Sequence, residues 1–263
     1  MSDLNNRAPE ARAAPPRWRR SPFWLVIGVG GIVAALATWA ALRLWGLPPV
    51  SIDPPGELVV TRTAAAPVVD GRLDDAVWQL SSRSAPFRRS DGRGPAPRPA
   101  TLRALWDDDA LYLAFDGDDE SLVATLTQRD EPIYTEDVFE LFLDPDGDER
   151  HYYELQVSPK GVVFDALFPS YRQNLERSKR YTLSGFEARV EPRDGGWSAE
   201  MKIPFASLKH APDRPPRAGA RWRFNAFRID LHPSGDADYM AFSPPIRPDF
   251  HALDRFGTLL FVN

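Results

Sequence analysis

The feature that most constrains the fold is a succession of short segments, rich in β-branched and aromatic residues, separated by clusters of Asp, Gly and Pro. Several of these segments alternate in polarity with a period of two, as half-buried β-strands do. Their number and even spacing predict an all-β chain and are typical of a β-sandwich. The ten predicted strands are residues 58–63, 100–106, 111–116, 138–143, 152–157, 162–168, 186–191, 197–203, 221–230 and 258–262.

One strand illustrates how the two faces differ. In YYELQV, the residues Tyr153, Leu155 and Val157 share a predicted core face, whereas Glu154 and Gln156 share an opposite, wet face. A polar strand face beside aromatic residues is either the floor of a site for a polar ligand or an ordinary solvated sheet surface.

Little helix is expected. Short helical pieces are predicted at residues 74–80, 121–128 and 205–208, and residues 88–99 are predicted to form a surface loop. The tryptophans that we expect to hold the sheets together are Trp78, Trp106, Trp197 and Trp222.

A second feature precedes the strands: residues 23–42, FWLVIGVGGIVAALATWAAL, include no charged side chain. A helix of this length is about 30 Å long, the hydrocarbon thickness of a bilayer. Arginines are concentrated before it, which places the preceding segment in the cytoplasm. The sequence therefore predicts a single-pass membrane protein with a basic cytoplasmic tail (1–22), a transmembrane signal anchor (23–45), a Pro-rich stalk (46–57) and a periplasmic or cell-surface domain (58–263). The alternative is a cleaved signal peptide.

Composition excludes several function classes. The chain lacks cysteine, so disulfides, thiolate metal sites and a cysteine nucleophile are unavailable. The net charge of −5 is spread out, without a basic stripe, and we expect no nucleic-acid partner. No zinc-protease, nucleophile-elbow or phosphate-loop motif is present, so no catalytic constellation is identified.

One acidic turn has the spacing of a cation site. Asp144, Asp146 and Asp148 form D-x-D-x-D, whose carboxylates suit calcium, although the EF-hand pattern fails because Glu149 and Leu155 stand where Gly and Glu are needed. The turn is either a structural Ca²⁺ site or a solvated acidic loop.

Seven blocks, in order, resemble a known family. They are VVDGRLDDAVW, TLRALWDDDALYLAFDGDD, YTEDVFELFLDPDGD, YYELQVSPKGVVFDA, GGWSAEMKIPFASL, RWRFNAFRID and FSPPIRPDFHALDRFGTLLF. The series resembles carbohydrate-binding module family 9, whose β-sandwich domains are often attached to xylanases and other polysaccharide-degrading enzymes. The resemblance implies a jelly-roll-like sandwich related to DOMON domains.

The resemblance also implies a sugar site between two aromatic rings, which fall here on Tyr134 and Phe242 in place of tryptophan. Sugar rings pack on aromatic faces, and their hydroxyls need polar partners. The implied polar partners are Glu140, Gln156, Asn225 and Arg228. As alternatives, Phe242 could fill a core edge, Glu140 could be solvated, and Arg228 could pair with Asp230.

We therefore expect a membrane-tethered protein that binds a polysaccharide or envelope glycan, without catalysis of its own, beside separately encoded glycoside hydrolases. One alternative is a haem-binding electron-transfer domain, with Met240 and either His151 or His251 as axial ligands. A degenerate module that binds another protein is a second alternative. The pair Glu136 and Glu140 could also mimic the two carboxyl groups of a glycosidase.

Overall fold

The computed structural model describes residues 53–263, in which β-strands predominate. All ten predicted strands form, to within two residues at each end. They are β1 (Glu57–Arg62), β3 (Ala100–Trp106), β4 (Ala110–Asp118), β5 (Val138–Asp144), β6 (Tyr152–Val157), β7 (Val163–Phe168), β8 (Glu187–Arg193), β9 (Gly196–Pro204), β10 (Arg221–Leu231) and β12 (Gly257–Val262). Two strands were not expected, β2 (Arg88–Arg89) and β11 (Ala237–Ala241).

Helical structure is limited to short pieces in the described residues. One α-helical turn, α1, spans Leu175–Ser178, and 3₁₀ turns span Ala76–Leu80, Ile133–Thr135, Phe205–Ser207 and Leu253–Arg255. Within residues 53–263, no helix is both long enough and apolar enough to cross a bilayer. The predicted anchor at residues 23–45 lies outside the described residues.

The strands form one continuous hydrogen-bonded sheet that folds back on itself. Its order is β7-β6-β5-β10-β12-β1-β3-β4-β9-β8, with β11 on the free part of β10 and β2 on β11. β1 joins two halves of the sheet, β7-β6-β5-β10-β12 and β3-β4-β9-β8. It pairs in parallel with β12 on one side and with β3 on the other.

Large aromatic side chains fill the space between the two halves. Phe139 of β5 stacks on Phe115 of β4 at a centroid distance of 4.8 Å and lies 4.1 Å from the ring of Trp197 of β9. The four tryptophans predicted to be core are buried, although Trp78 belongs to a separate cluster with Leu105 and Tyr112.

The sheet half that contains β5, β6 and β10 is covered on its outer face as well. A second apolar cluster lies there, which includes Ile133, Phe142, Phe164 and Phe256 and is supplied partly by the 3₁₀ turns. The alternation predicted for β6 is therefore right, but the expectation of a wet face is wrong. Gln156 is fully buried and Glu154 is only 5% exposed.

Residues 121–128 correct a second expectation, because they form an irregular segment rather than a helix. Carboxylates accept hydrogen bonds from backbone N–H groups that, in a helix, would bond to backbone carbonyl groups. Asp137 accepts from Val123, and Glu136 accepts from Thr125 and Leu126. Glu131 likewise accepts from the next two N–H groups of the chain.

The predicted surface loop at residues 88–99 is also corrected at its start. β11 pairs antiparallel with β10 along Phe227 to Leu231, and β2 adds to β11 through the pairs Met240↔Arg89 and Ala241↔Arg88. Two residues are too few to show an alternation, so a pattern search could not detect β2.

Substitution in the joining strand tests the architecture. Val60 of β1 is fully buried, whereas Thr61 on the opposite side is half-buried. Val60→Asp should lower the free energy of unfolding by at least about 4 kcal/mol, because it buries an unpaired carboxylate. The matched control Thr61→Asp should cost about 1 kcal/mol, the span of strand propensities. Chemical denaturation followed by tryptophan fluorescence measures both, and equal losses would contradict the placement of β1.

Candidate functional site

A cavity of about 830 Å³ opens on the outer face of the sheet half that contains β5, β6 and β10. Its floor is made by side chains of these strands, and its walls come from the loops that cover them. The floor residues are Glu140, Phe142, Glu154 and Ile229. The wall residues include Arg89, Arg93, Tyr134, Arg172, Tyr239, Arg247, Phe250 and His251.

Two buried carboxyl groups dominate the floor. Glu140 lies opposite Gln156 in the β5–β6 ladder and Phe142 lies opposite Glu154, so the two acids are diagonal neighbours on one sheet face. Gln156 donates its side-chain N–H to Glu154 Oε1. Within residues 53–263, Glu140 Oε1 and Glu154 Oε2 are buried and accept no hydrogen bond.

The pKa values of both acids are raised. Burial raises the pKa of Glu140 well above its usual value, and the charge of Glu154 raises it further. Burial raises the pKa of Glu154 to about 7, against the lowering effects of the Gln156 hydrogen bond and of Arg172. The pair therefore holds protons near neutral pH that ordinary glutamates would have lost.

His251 lies beside this pair without neutralising it. Its Nδ1 is 2.8 Å from the hydroxyl of Tyr152, and its Nε2 is 3.8 Å from Glu154 Oε2. Burial lowers the pKa of His251 to about 4, and the charge of Arg172 contributes, so the imidazole is neutral at physiological pH.

The walls present aromatic rings. Tyr134 packs edge-on against Phe164 at a centroid distance of 6.0 Å. Phe250 stacks on Phe227 of β10 at 4.0 Å, and Tyr239 of β11 meets Phe250 edge-on at 6.1 Å. Tyr239 is 50% exposed, so a large aromatic surface is available at the mouth.

The sequence profile described as "Carbohydrate family 9 binding domain-like" matches residues 69–263. The chain belongs to this family. This family 9 domain is 24% identical over 209 residues to endo-1,4-beta-xylanase A of Thermotoga neapolitana, covering 79% of this chain and 18% of that enzyme. It is 27% identical over 157 residues to exoglucanase XynX of Acetivibrio thermocellus, covering 57% of this chain and 12% of that protein. The chain thus spans less than a fifth of either relative.

A solved structure has the same fold. It is a family 9 carbohydrate-binding module from Caldicellulosiruptor kristjanssonii in complex with cellotriose. The two superpose with a TM-score of 0.59 at 18% identity, covering 79% of this chain and 94% of that module. At this identity the likeness shows the sandwich architecture alone.

In the family 9 domain, two of the predicted sugar-binding residues lie in the cavity. Tyr134 belongs to the 3₁₀ turn before β5, and Glu140 lies six residues later within the strand, so turn and strand together direct both side chains to one space. Burial raises the pKa of Tyr134, and the charges of Glu154 and Glu140 add to this, consistent with a hydroxyphenyl group near both acids.

Phe242 is not among the described residues that line this cavity. It follows β11 on the side of the sandwich core, where its ring lies 4.8 Å from Phe224 and 6.5 Å from Phe87. The structure therefore does not bring Tyr134 and Phe242 together as two walls of one slot, and Phe242 has the core-edge position that was the alternative.

Two further predicted partners have structural roles instead. The side chain of Asn225 donates to the carbonyl of Ser243 and accepts from the N–H groups of Ala226 and Ser243, which fixes the chain after β11. Gln156 orients Glu154 beneath the cavity. Both are fully buried, and the cavity walls identified in residues 53–263 do not include them.

Arg228 is placed away from the cavity by strand alternation, on the inner face of β10. It is fully buried, with Nη2 at 2.9 Å from Asp119 and 3.6 Å from Asp230, and its guanidinium lies 5.9 Å from the centroid of Phe139. Carboxylate oxygens of Asp119, Asp230 and Asp137 lie within 4.8 Å of one another. The arginine is thus the internal counter-ion of an acidic cluster, and its pairing with Asp230 is the alternative that the sequence offered for it.

The predicted calcium turn does bring its carboxylates together. Oxygens of Asp144, Asp146 and Asp148 lie within 4.8 Å of one another. Burial raises the pKa of Asp144 to about 7, and its two acidic neighbours contribute. Its carboxylate accepts from the N–H groups of Gly147 and Glu149, which closes the turn. Hard oxygen donors and excess negative charge fit calcium, and binding of this ion stays a prediction.

The predicted haem ligands are separated. Met240 is fully buried in the sandwich core, whereas His251 lies on the outer face of the same sheet half, beside Phe142. His151 stacks on His210 at 4.2 Å instead of lying near Met240. This arrangement offers no pair of axial ligands around a common space in residues 53–263.

Several cavity residues were missed by the sequence analysis. Glu154 is assigned by its alternation to the polar face of β6 but not to the site, and His251 is named only as a haem ligand. Arg172 and Phe250 lie in irregular segments, and Tyr239 lies in β11, a strand that the sequence does not predict. Only the alternation of Tyr239 with Met240 in β11 could have indicated a side chain on the outer face.

The buried ion pair allows a direct test. Arg228→Ala leaves Asp119 without its buried cation and leaves Asp230 with Arg98 alone, at 3.4 Å, and we expect a loss of about 3 to 5 kcal/mol in the free energy of unfolding. The control Arg221→Ala removes a surface pair with Glu57 and should cost at most about 1 kcal/mol. Denaturant titration compares the two, and a loss for Arg228→Ala no larger than the control would show that this cluster is not the buried network described.

Proposed function

We propose that this domain binds carbohydrate in the cavity above β5 and β6 and performs no catalysis. The observation on which the proposal depends is the pair of buried carboxyl oxygens, on Glu140 and Glu154, that face the cavity without accepting a hydrogen bond from residues 53–263. A buried acceptor without a donor is costly, and sugar hydroxyl groups are suitable donors.

The aromatic rings supply the second half of sugar recognition. The C–H faces of a pyranose pack on rings such as those of Tyr134, Tyr239 and Phe250, while its hydroxyls meet polar groups below. The family 9 module of C. kristjanssonii was solved with cellotriose and with glucose, which supports the choice of β-1,4-glucans as first ligands to test.

The arrangement of carboxyl groups favours binding over hydrolysis. Burial opposes ionisation of Glu136, but hydrogen bonds from Thr125 and Leu126 outweigh it and leave the pKa of this carboxyl below its usual value. Glu136 is thus committed to the segment at residues 121–128. Glu140 and Glu154 both have raised pKa values, whereas a glycosidase needs one acid and one ionised carboxylate.

Two substitutions test the site. Tyr134→Ala removes a wall ring and should weaken cellotriose binding by more than about 1 kcal/mol. Glu140→Ala removes a ligand acceptor and should cost about 1 to 3 kcal/mol of affinity while leaving the thermal midpoint at or above the wild-type value, since it deletes a buried acid without a partner. Isothermal titration of the full-length protein in detergent measures affinity.

Glu120→Ala is the matched control, because that acid is 82% exposed and lies outside the cavity. Wild-type affinity in both Tyr134→Ala and Glu140→Ala would show that sugar binds elsewhere. Release of reducing sugar from cellulose or xylan by the wild-type protein would contradict a binding function without catalysis.

The proposal includes a membrane tether formed by residues 23–45. The apolar run at residues 23–42 and the arginines before it support this orientation. The domain would then hold a polysaccharide or envelope glycan outside the cytoplasm, near separately encoded glycoside hydrolases, and the likeness to segments of xylanases supports that association.

Cell fractionation tests the tether. We expect the full-length protein in the membrane fraction, resistant to high salt and released by detergent, and a variant lacking residues 1–47 to be recovered without detergent. Mature protein that begins near Ala41 and is free in the periplasm or medium would show instead that the apolar run is a cleaved signal peptide.

A further inference from the structure

The floor of the cavity has two buried acids, Glu140 and Glu154, that form no ion pair with an arginine or lysine of residues 53–263. The wall arginines are engaged by other acids: Arg89 contacts Asp91 at 3.1 Å, and Arg172 contacts Asp249 at 3.4 Å. Arg247 is paired with Asp254, and Arg93 lies 3.8 Å from Asp91. His251 is neutral, because its pKa is lowered to about 4. Ionisation of Glu140 or Glu154 is therefore opposed by burial and by the charge of the other acid, and only Arg172 acts in the opposite direction, on Glu154.

Two kinds of ligand group can donate hydrogen bonds to the unpaired oxygens of Glu140 and Glu154. Hydroxyl groups satisfy the free oxygens as hydrogen-bond donors, but they bring no charge that would stabilise the ionised form of either acid. An ammonium group donates three hydrogen bonds and also neutralises charge, and in a partly desolvated site the second effect is the larger. The neighbouring ring of Tyr134 adds a surface that favours a cation.

We propose that the preferred ligand is a glycan with free primary amines, built from 2-amino-2-deoxy sugars, whose ammonium group lies between Glu140 and Glu154. This inference rests on the proposed function and specifies its ligand class. N-acetylation removes the charge and enlarges the substituent, so acetylated sugars are disfavoured at the same position.

Binding of an ammonium group displaces protons from the pair. The groups that face the two acids are Gln156 on the same strand face, Tyr134, Arg172, and the hydrogen-bonded pair Tyr152 and His251. Of these, none changes charge between pH 5.5 and 7, since the pKa of His251 is about 4 and those of both tyrosines are raised. The pKa of Glu154 is about 7, so acidification to pH 5.5 protonates Glu154 and makes the ionised state that the ammonium group needs more costly to form.

The experiment compares three trimers, of β-1,4-linked glucosamine, glucose and N-acetylglucosamine, by isothermal titration of the full-length protein in detergent. We expect the glucosamine trimer to bind about tenfold more tightly than cellotriose at pH 7, and the acetylated trimer to bind no more tightly than cellotriose. The preference for the glucosamine trimer over cellotriose should shrink at pH 5.5. It should persist in 0.5 M NaCl, because buried charges are screened less than surface charges.

The double variant Glu140→Gln, Glu154→Gln keeps the shape of the floor and removes its charge. It should reduce the ratio of glucosamine-trimer affinity to cellotriose affinity to about twofold or less, whatever its absolute affinity for cellotriose, whereas the control Glu120→Gln should behave as wild type. A preference that survives in the double variant would come from the overall negative charge of the protein and not from this pair, and it would overturn the inference.

The outcomes separate this inference from the proposed function. If cellotriose binds as tightly as the glucosamine trimer, the inference is wrong and carbohydrate binding stands. If none of the three trimers binds, both are wrong.

Discussion

Burial of β5, β6 and β10 on both faces is the constraint that determines the rest of this domain. Such strands cannot direct polar side chains to water, so each polar group must find a partner within the protein or in a cavity. Asn225 is satisfied by the segment after β11, and Asp137 by backbone N–H groups of Val123 and Leu231. Glu140 and Glu154 lie where the covering loops leave a cavity, and one oxygen of each accepts no hydrogen bond from residues 53–263. This cavity is the candidate site.

The sequence predicts those features that depend on local periodicity. All ten predicted strands form, and alternation assigns the residues of β6 to their faces correctly. The motif YTEDVFE also directs Tyr134 and Glu140 to one cavity, because a turn followed by a strand fixes their relative positions over a few residues. Short-range geometry of this kind needs no knowledge of distant contacts.

Alternation cannot reveal what covers each face of a strand. Whether the second face of a strand meets water depends on loops far away in sequence, which is why Gln156 and Glu154 were expected to be wet. The same holds for Arg228, whose counter-ion Asp119 lies 109 residues earlier in the chain. Phe242 is a similar case, since its position at the core edge depends on packing against Phe87 and Phe224.

The position of β1 has a consequence for how the chain reaches its native state. The first of the described strands is the central one of the sheet order, and its main partner, β12, is the last. Neighbouring pairs such as β3–β4, β5–β6 and β8–β9 are local and can form early, but the pairing of β1 with β12 has to wait until residues 257–262 have been synthesised. Such non-local closure gives a high contact order and slow folding. Completion of the sandwich therefore has to wait for β12, and until then the aromatic inner faces of both halves remain open to chaperones or to aggregation.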